Sequence, residues 1–218
     1  MAYFTPVGSK FLYSTTFGSA VAVNSISNAY PAIANAPAHG FAPGAELLLK
    51  NGWEDVSDSI YRAGTGTAGS VITLDELDSE DTQWYPSGAA SAGTVQAVSN
   101  WQEIGQVLDA TSDGGGAKNI EYQPLALRNS KKMPTGFEAA SFTLTLGYDP
   151  ARADQKALNR ISRNLNQRAA FKFLIAGGAA IYAYGTIQKS VIPQMSTSDV
   201  MKVTVSVNFD GLATAYVG

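Results

Sequence analysis

The stretch ASFTLTLGY (residues 140–148) alternates Phe142, Leu144, Leu146 and Tyr148 with Ser141, Thr143, Thr145 and Gly147. A period of two with one apolar and one small polar face predicts a half-buried strand. Asp149-Pro150 then offers an N-cap and a first helical residue in the favoured order. In ARADQKALNRISRNLNQR (151–168), Ala153, Ala157, Leu158, Ile161 and Leu165 share one stripe, with Arg152, Lys156, Arg160 and Arg163 on the other faces. That spacing predicts a helix, the one convincing helix in the chain.

AAFKFLIAGGAAIYAYGTI (169–187) follows as two strands joined by a tight turn at Gly177-Gly178. Phe171, Phe173 and Ile175 point one way, whereas Leu174, Tyr182 and Tyr184 do not join the same core, so this hairpin has two faces to bury. In VMKVTVSVNFDG (200–211), Met201, Val203, Val205, Val207 and Phe209 oppose Lys202, Thr204, Ser206, Asn208 and Asp210. Hydroxyl-bearing faces opposite continuous apolar faces imply water on one side and packed protein on the other. With one helix to cover the dry side, these strands form an incomplete barrel wall. Such a wall is best closed by several copies, which removes strand edges that would otherwise aggregate.

Upstream, KFLYSTT (10–16) is a first strand candidate, and residues 24–99 are dense in turns. Pro31, Pro37, Gly40, Pro43 and Gly44 punctuate PAIANAPAHGFAPGAELLL (31–49) and exclude a helix there. SIYRAGTGTAGSVITLDEL (59–77) reads as strand, Gly-rich turn, strand, and the whole segment suits a small β-barrel or sandwich. WQEIGQVLDAT (101–111) leads into a further strand. The polar stretch 112–138, with Gly114, Gly115 and Gly116 at one end and Lys131, Lys132 and Pro134 at the other, is a long arm or loop, expected to be disordered in the free monomer.

Composition narrows the function. The chain has 218 residues, 21 Gly, no Cys and a net charge of −3. It is long enough for one or two domains, and the mild charge argues against a nucleic-acid clamp. Residues 1–100 hold three basic and nine acidic side chains, the remainder twelve and nine, so a composition break near residue 100 suggests two modules. MAYFTPVGSKF at the start lacks the charged and apolar regions of a secretory signal, and no run of about 18 apolar residues is present.

Catalysis finds no support. His39 stands in a turn with no acid or nucleophile nearby in sequence, and SDGGGAKN (112–119) lacks the spacing of a phosphate loop. The acidic run Asp75, Glu76, Asp78, Glu80 and Asp81 lacks the glycine and terminal glutamate of an EF-hand and reads as a solvated turn. No catalytic residue, cofactor or metal site is expected. The helix basic residues, with no interleaved aromatics, read as a solvent or subunit face rather than a nucleic-acid platform.

Residues 136–211, strand, helix, hairpin, a Ser/Thr-containing turn and a Val/Thr-alternating strand ending in Gly, resemble the core of the major tail tube proteins of long-tailed bacteriophages. VIPQMSTSDVMKVTVSVNFDG (191–211) is similar to that family's ending, WQEIGQVLDATSDGGG (101–116) to the strand entering its long arm, and SKFLYSTT (9–16) to its first strand. The resemblance implies a mostly β fold, a tail-tube-type sandwich or barrel wall with one packed helix. Its core would be residues 1–23 and 100–218, interrupted by a small all-β domain at 24–99 on the outer surface.

It further implies a structural virion protein, not an enzyme, assembled in the host cytoplasm. Six copies would form a ring, and rings would stack into a tube that houses the tape-measure protein and conducts DNA without binding it specifically. Tail terminator and distal tail proteins would be further partners, with no membrane involved. On this reading Ser141, Thr143, Thr145, Thr204, Ser206, Asn208 and Asp210 line the bore, because a DNA conduit should carry few cations. Lys202 would sit at a rim or pair with an acid of the next subunit. Phe142, Leu144, Leu146, Leu158, Ile161, Leu165, Phe171, Phe173, Val203, Val205 and Val207 would pack beneath the helix. The other hairpin face would meet the lumen or a neighbouring copy, and the arm, with Gly114–Gly116, Lys131, Lys132 and Pro134, would reach adjacent subunits or rings. The alternative is a monomeric adhesin or carbohydrate-binding protein using Trp53, Trp84 and Tyr85.

Overall fold

The computed structural model describes residues 6–217; the first five residues of the segment 1–23 and Gly218 lie outside the described part. In chain order the first strands are β1 (Lys10–Ser14), β2 (Thr16–Phe17), β3 (Val21–Val23), β4 (Ser25–Ile26), β5 (Ala32–Asn35), β6 (Glu46–Asn51), β7 (Ser59–Arg62), β8 (Val71–Leu74) and β9 (Gly93–Ser99). There follow β10 (Gln102–Ile104), β11 (Val107–Asp113), β12 (Ala117–Tyr122), β13 (Lys131–Phe137), β14 (Ser141–Gly147) and the helix α1 (Ala153–Arg163). The last are β15 (Arg168–Leu174), β16 (Ala180–Lys189), β17 (Gln194–Ser196), β18 (Asp199–Phe209) and β19 (Thr214–Tyr216). The fold is mostly β with one helix, built from antiparallel sheets that do not close into a barrel.

A nine-stranded sheet runs β10-β1-β15-β16-β18-β14-β11, with β17 beside β18 and β19 beside β16. Its register sets Leu144 opposite Val205 and Thr143 opposite Ser206, so the apolar and hydroxyl faces of β14 and β18 coincide. On the apolar face, Leu144, Leu146, Val203, Val205, Val207, Phe171 and Phe173 pack with Leu158 and Ile161 of α1. Phe142 joins them half-buried, its ring centroid 4.5 Å from that of Phe173.

The helix is shorter than its sequence pattern. Asp149 does not cap it: its Oδ1 accepts the Ala151 N–H at 2.9 Å in a local turn, and Arg152 holds the N-cap position without a side-chain cap bond. At the other end Asn164 is extended, so Leu165 falls outside the last turn and is 80% exposed rather than part of the core. One residue off the helical backbone is enough to turn a stripe position toward water. Gln155, by contrast, is buried: its amide donates to Gly147 O at 2.6 Å and its oxygen accepts the Asp149 N–H at 3.2 Å.

Residues 16–99 form a five-stranded sheet, β2-β9-β6-β7 with β3 on β9, and a three-stranded sheet β4-β5-β8. Between them lies a separate core with Leu47, Leu49, Trp53, Ile72, Leu74 and Val95. Pairing with β9 draws residues 16–23 into the same body as the turn-rich segment that follows.

This β-module supplies the missing neighbour for the hairpin. Tyr182 and Tyr184 are buried against Leu48, Ile60, Val98 and Tyr216, so that half of the face meets neither a lumen nor another copy. The C-terminal strand fastens the joint. The Tyr216 hydroxyl accepts the Arg62 N–H at 3.0 Å and donates to Asp75 O at 3.0 Å, while Thr214 Oγ1 donates to Ile60 O at 2.6 Å.

Candidate assembly surfaces

On the face away from α1, the large sheet divides into two halves. The half over β15 and β16 lies under the β-module; the half made by β18, β14 and β11 is uncovered. There Ser141 pairs with Asn208, Thr143 with Ser206 and Thr145 with Thr204, and Thr143 Oγ1 lies 3.3 Å from Ser206 Oγ. Five of these side chains are half-buried by their neighbours, and Asn208 is exposed. Asp210 stands apart, beyond the end of β18, where its carboxylate accepts from Arg168 Nε at 2.9 Å.

The strip is wider and more acidic than its sequence suggests. β11 pairs with β14 so that Asp109 faces Thr145, Thr111 faces Thr143 and Asp113 faces Ser141, which adds two carboxylates to the same face. The signal was the alternation Asp109-x-Thr111-x-Asp113, hidden because Val107 and Leu108 precede it across a register shift. Lys202 is the cation to account for here, and its ammonium bonds Asp199 of the same chain rather than requiring an acid from a neighbour. That bond, with the Val200 N–H, holds the Asp199 carboxyl below its ordinary range.

β11 is also a free edge of the sheet, longer than β10 at the other end: it pairs with β14 on one side and with no strand among the described residues on the other. Seven residues of unpaired backbone are a template for another strand.

From the end of β11 the chain enters the arm, which is not a loop. β12 and β13 pair as a two-stranded hairpin with Ile120 opposite Met133 and Tyr122 opposite Lys131, and every residue of both strands is exposed. Gly114 and Gly115 adopt positive φ at its root, where a Cβ on Gly114 would lie 1.9 Å from Ala139 O. Lys131, Lys132 and Pro134 therefore lie within a strand rather than at the end of a loop. Alternation there is weakened by a register shift between Lys118 and Asn119, which concealed it in the sequence.

A polar cluster ties the β-module to the sheet. Glu46 of β6 accepts from Lys172 Nζ at 2.5 Å and from the Tyr182 hydroxyl at 2.7 Å, and Trp101 Nε1 donates to its other oxygen. Burial and, next, the Glu46 carboxylate push the Tyr182 phenol above its ordinary range.

The remaining sequence candidates are held in structural contacts. His39 is buried, stacked on Phe41, with its Nδ1 accepting the Phe41 N–H at 2.9 Å. In the acidic run, Asp75 pairs with Arg62, and Asp78 and Asp81 accept backbone N–H groups of Glu80 and Gln83. Among the described residues no group of His, Asp and Glu side chains is placed to hold a metal ion, and no helix is long and apolar enough to cross a membrane. The aromatics of the adhesin alternative do not share an exposed surface: Trp53 is buried against Tyr85 and donates to Pro86 O, leaving Trp84 exposed.

Comparison with curated proteins gives no match. Among solved structures, the chain is similar to the sheath/tube terminator of an extracellular contractile injection system, PVC, in its extended state, at 14% identity and a TM-score of 0.42, over 53% of this chain and 88% of that one. Residues 51–218, which include the uncovered strip, the arm and much of the β-module, match the phage tail tube protein family. The chain belongs to that family, and its role is structural, in the virion tail.

Proposed function

We propose that copies of this chain form six-membered rings that stack into a hollow tail tube, with the strip on β18, β14 and β11 facing the bore. The tube would house the tape-measure protein during assembly and pass DNA during delivery. It would be built in the host cytoplasm and be met by terminator and distal tail proteins at its ends.

The observation that carries this reading is the uncovered half-sheet. Ser141, Thr143, Thr145, Thr204, Ser206 and Asn208, widened by Asp109, Thr111 and Asp113, present hydroxyl, amide and carboxylate groups, and the nearby lysine, Lys202, is bonded within the chain. Such a lining gives phosphates nothing to grip, so passage would not depend on releasing counterions. The free edge of β11 supports closure by a strand of the next copy, because an exposed edge of this length otherwise invites aggregation. The β-module, fixed on the other half of the same face, would stand outside the bore as an integral part of each subunit, rather than as a mobile decoration.

Negative-stain microscopy of the concentrated protein tests the reading: stacked rings with a central channel are expected. For the lining, Thr143→Cys gives a single thiol, since the chain has no cysteine. It should react with a bulky maleimide in monomers and be protected in assembled tubes. A Thr143→Cys thiol that stays fully reactive in visible tubes places the strip on the outside.

A further inference from the structure

A cleft of about 350 Å³ opens between the loop 76–85 of the β-module and the segment 212–215 that leads into β19. Val56 and Leu77, from the core of the module, and Leu212 give it an apolar wall. Tyr61, Tyr85, Glu76 and Asp78 also line it, and no basic side chain among the described residues does. Arg62 follows Tyr61 on β7 but points to the opposite face, where it pairs with Asp75 and lies 4.6 Å from the centre of the Tyr216 ring.

Polar groups in and beneath this cleft are left unmatched. Tyr61 is only 3% exposed, and Ser59, two residues back on the same face of β7, is fully buried. Ser59 offers the phenol its nearest hydroxyl, yet the Ser59 Oγ has no hydrogen-bond partner, and no other described group bonds the Tyr61 hydroxyl. The chain covers both closely, since a Cβ on Gly211 would lie 2.6 Å from Ser59 Oγ. A buried hydroxyl without a partner is a cost that a ligand can remove. The carboxylates are half used. Glu76 Oε2 accepts the Tyr30 hydroxyl at 3.0 Å and Asp78 Oδ1 accepts the Glu80 N–H at 3.0 Å, which leaves one oxygen of each open. Burial raises the pKa of both phenols, and at Tyr85 the carboxylates of Asp55, Asp78 and Asp81 raise it further. Both phenols therefore stay neutral, and the negative charge of the cleft is that of its carboxylates.

We propose that this cleft is a binding site for an organic cation with a short apolar stem, an alkylammonium or alkylguanidinium group. The stem packs on Val56, Leu77 and Leu212. The charged head donates to the open oxygens of Glu76 and Asp78 and to the Tyr61 hydroxyl, beside the Tyr85 ring, whose face attracts a cation. The volume suits a ligand of this size, and the carboxylates repel anions. A bare metal ion fits less well, because no described group of side chains is placed to coordinate one. The cation is either a free amine or the lysine or arginine side chain of another protein, two sources of one chemistry. Every residue of the site belongs to a single chain, so the proposal does not rest on the tube reading.

The test is an NMR titration of the dilute full chain with n-butylammonium, and with n-butanol as the uncharged stem. The ring resonances of Tyr61 and Tyr85 should shift saturably with n-butylammonium and not with n-butanol. Glu76 and Asp78 are exposed, so Glu76→Gln with Asp78→Asn should melt as wild type. That double variant should bind about tenfold more weakly or worse, and added salt should weaken binding to the wild type. Tyr61→Phe keeps the ring and should weaken binding without lowering the melting temperature, because no partner within the chain is lost. A hydroxyl satisfied inside the chain would give the reverse, a lower melting temperature with binding unchanged. Shifts that do not saturate, that n-butanol reproduces, or that survive the carboxylate variant overturn the proposal, whether or not the protein forms tubes. A blocked Gly-Gly-Lys-Gly-Gly peptide separates the sources. Tighter binding than n-butylammonium assigns the site to a partner's basic side chain, and weaker binding assigns it to a free amine.

Discussion

The Lys172 ammonium lies 2.5 Å from Glu46 Oε1, joining the middle of the large sheet to the β-module through an ion pair whose side chains are only 20% and 14% exposed. The same carboxylate also accepts from Tyr182 and Trp101, so it satisfies three donors at one joint. Removing one partner of such a pair leaves the other charge uncompensated in a poorly solvated place. Glu46→Gln is expected to lower unfolding free energy by about 3 kcal/mol. In a double-mutant cycle with Lys172→Met, a coupling of roughly 1–3 kcal/mol is expected from denaturant titrations. Additive effects would show that the two bodies are held by the apolar contacts of Tyr182, Tyr184 and Tyr216 alone.

The two leucines of the helix pattern should separate sharply. Leu158 is fully buried beneath the sheet, whereas Leu165 lies past the last turn. Leu158→Ala is expected to cost about 3 kcal/mol, and Leu165→Ala to stay within about 0.5 kcal/mol, both read from chemical denaturation. A large loss from Leu165→Ala in the isolated monomer would mean that α1 extends in solution to the length its pattern predicts.

That pair also marks where the sequence is legible. Strict alternation over 141–147 and 201–209 is a local property, and it foretold which faces of β14 and β18 are dry. The helix end was not legible, because the amphipathic stripe continues through Leu165 while the backbone leaves the helix at Asn164. Nor was the partner of Tyr182 and Tyr184, since that contact brings Leu48 and Ile60 from more than a hundred residues away. Asp109 and Asp113 were missed for a related reason: a register shift after Val107 decides which face β11 presents.

Asp154 ties stability to pH. Desolvation acts to raise its pKa, but the Arg152 hydrogen bond and the N–H groups of Gly105 and Gln155 together outweigh it, and the folded carboxyl titrates below its ordinary value. The unfolded chain then binds this proton first as pH falls, so the contribution is complete above the unfolded value, about 3.9, and is lost below it. Stability of the wild-type chain should drop as pH falls below about 4, and Asp154→Asn should flatten that part of the profile while lowering stability at neutral pH. Thermal melts of both chains across the acid range check the sign. An unchanged slope in Asp154→Asn would remove this carboxylate from the acid response.

Introducing a cation into the strip tests the conduit reading where the wild-type lining is silent. Thr143 sits in the middle of the uncovered half-sheet, flanked by Ser206 on β18 and Thr111 on β11, with Lys202 at the far end of β18 already engaged by Asp199. A Thr143→Lys side chain would have no acid opposite it in the register, since Asp109 and Asp113 face Thr145 and Ser141. The variant should therefore fold and assemble, yet repeat an added ammonium around every ring. Wild-type tubes are expected to retain no DNA at physiological salt. Thr143→Lys tubes should retain it, with an affinity that falls steeply as salt rises, because each phosphate contact releases a counterion. Thr143→Lys on the opposite, solvent-facing side of a tube would also attract DNA, so the readout is whether nuclease digests the retained strand. Protection places the lysine inside the bore, and rapid digestion places β14 on the outer wall.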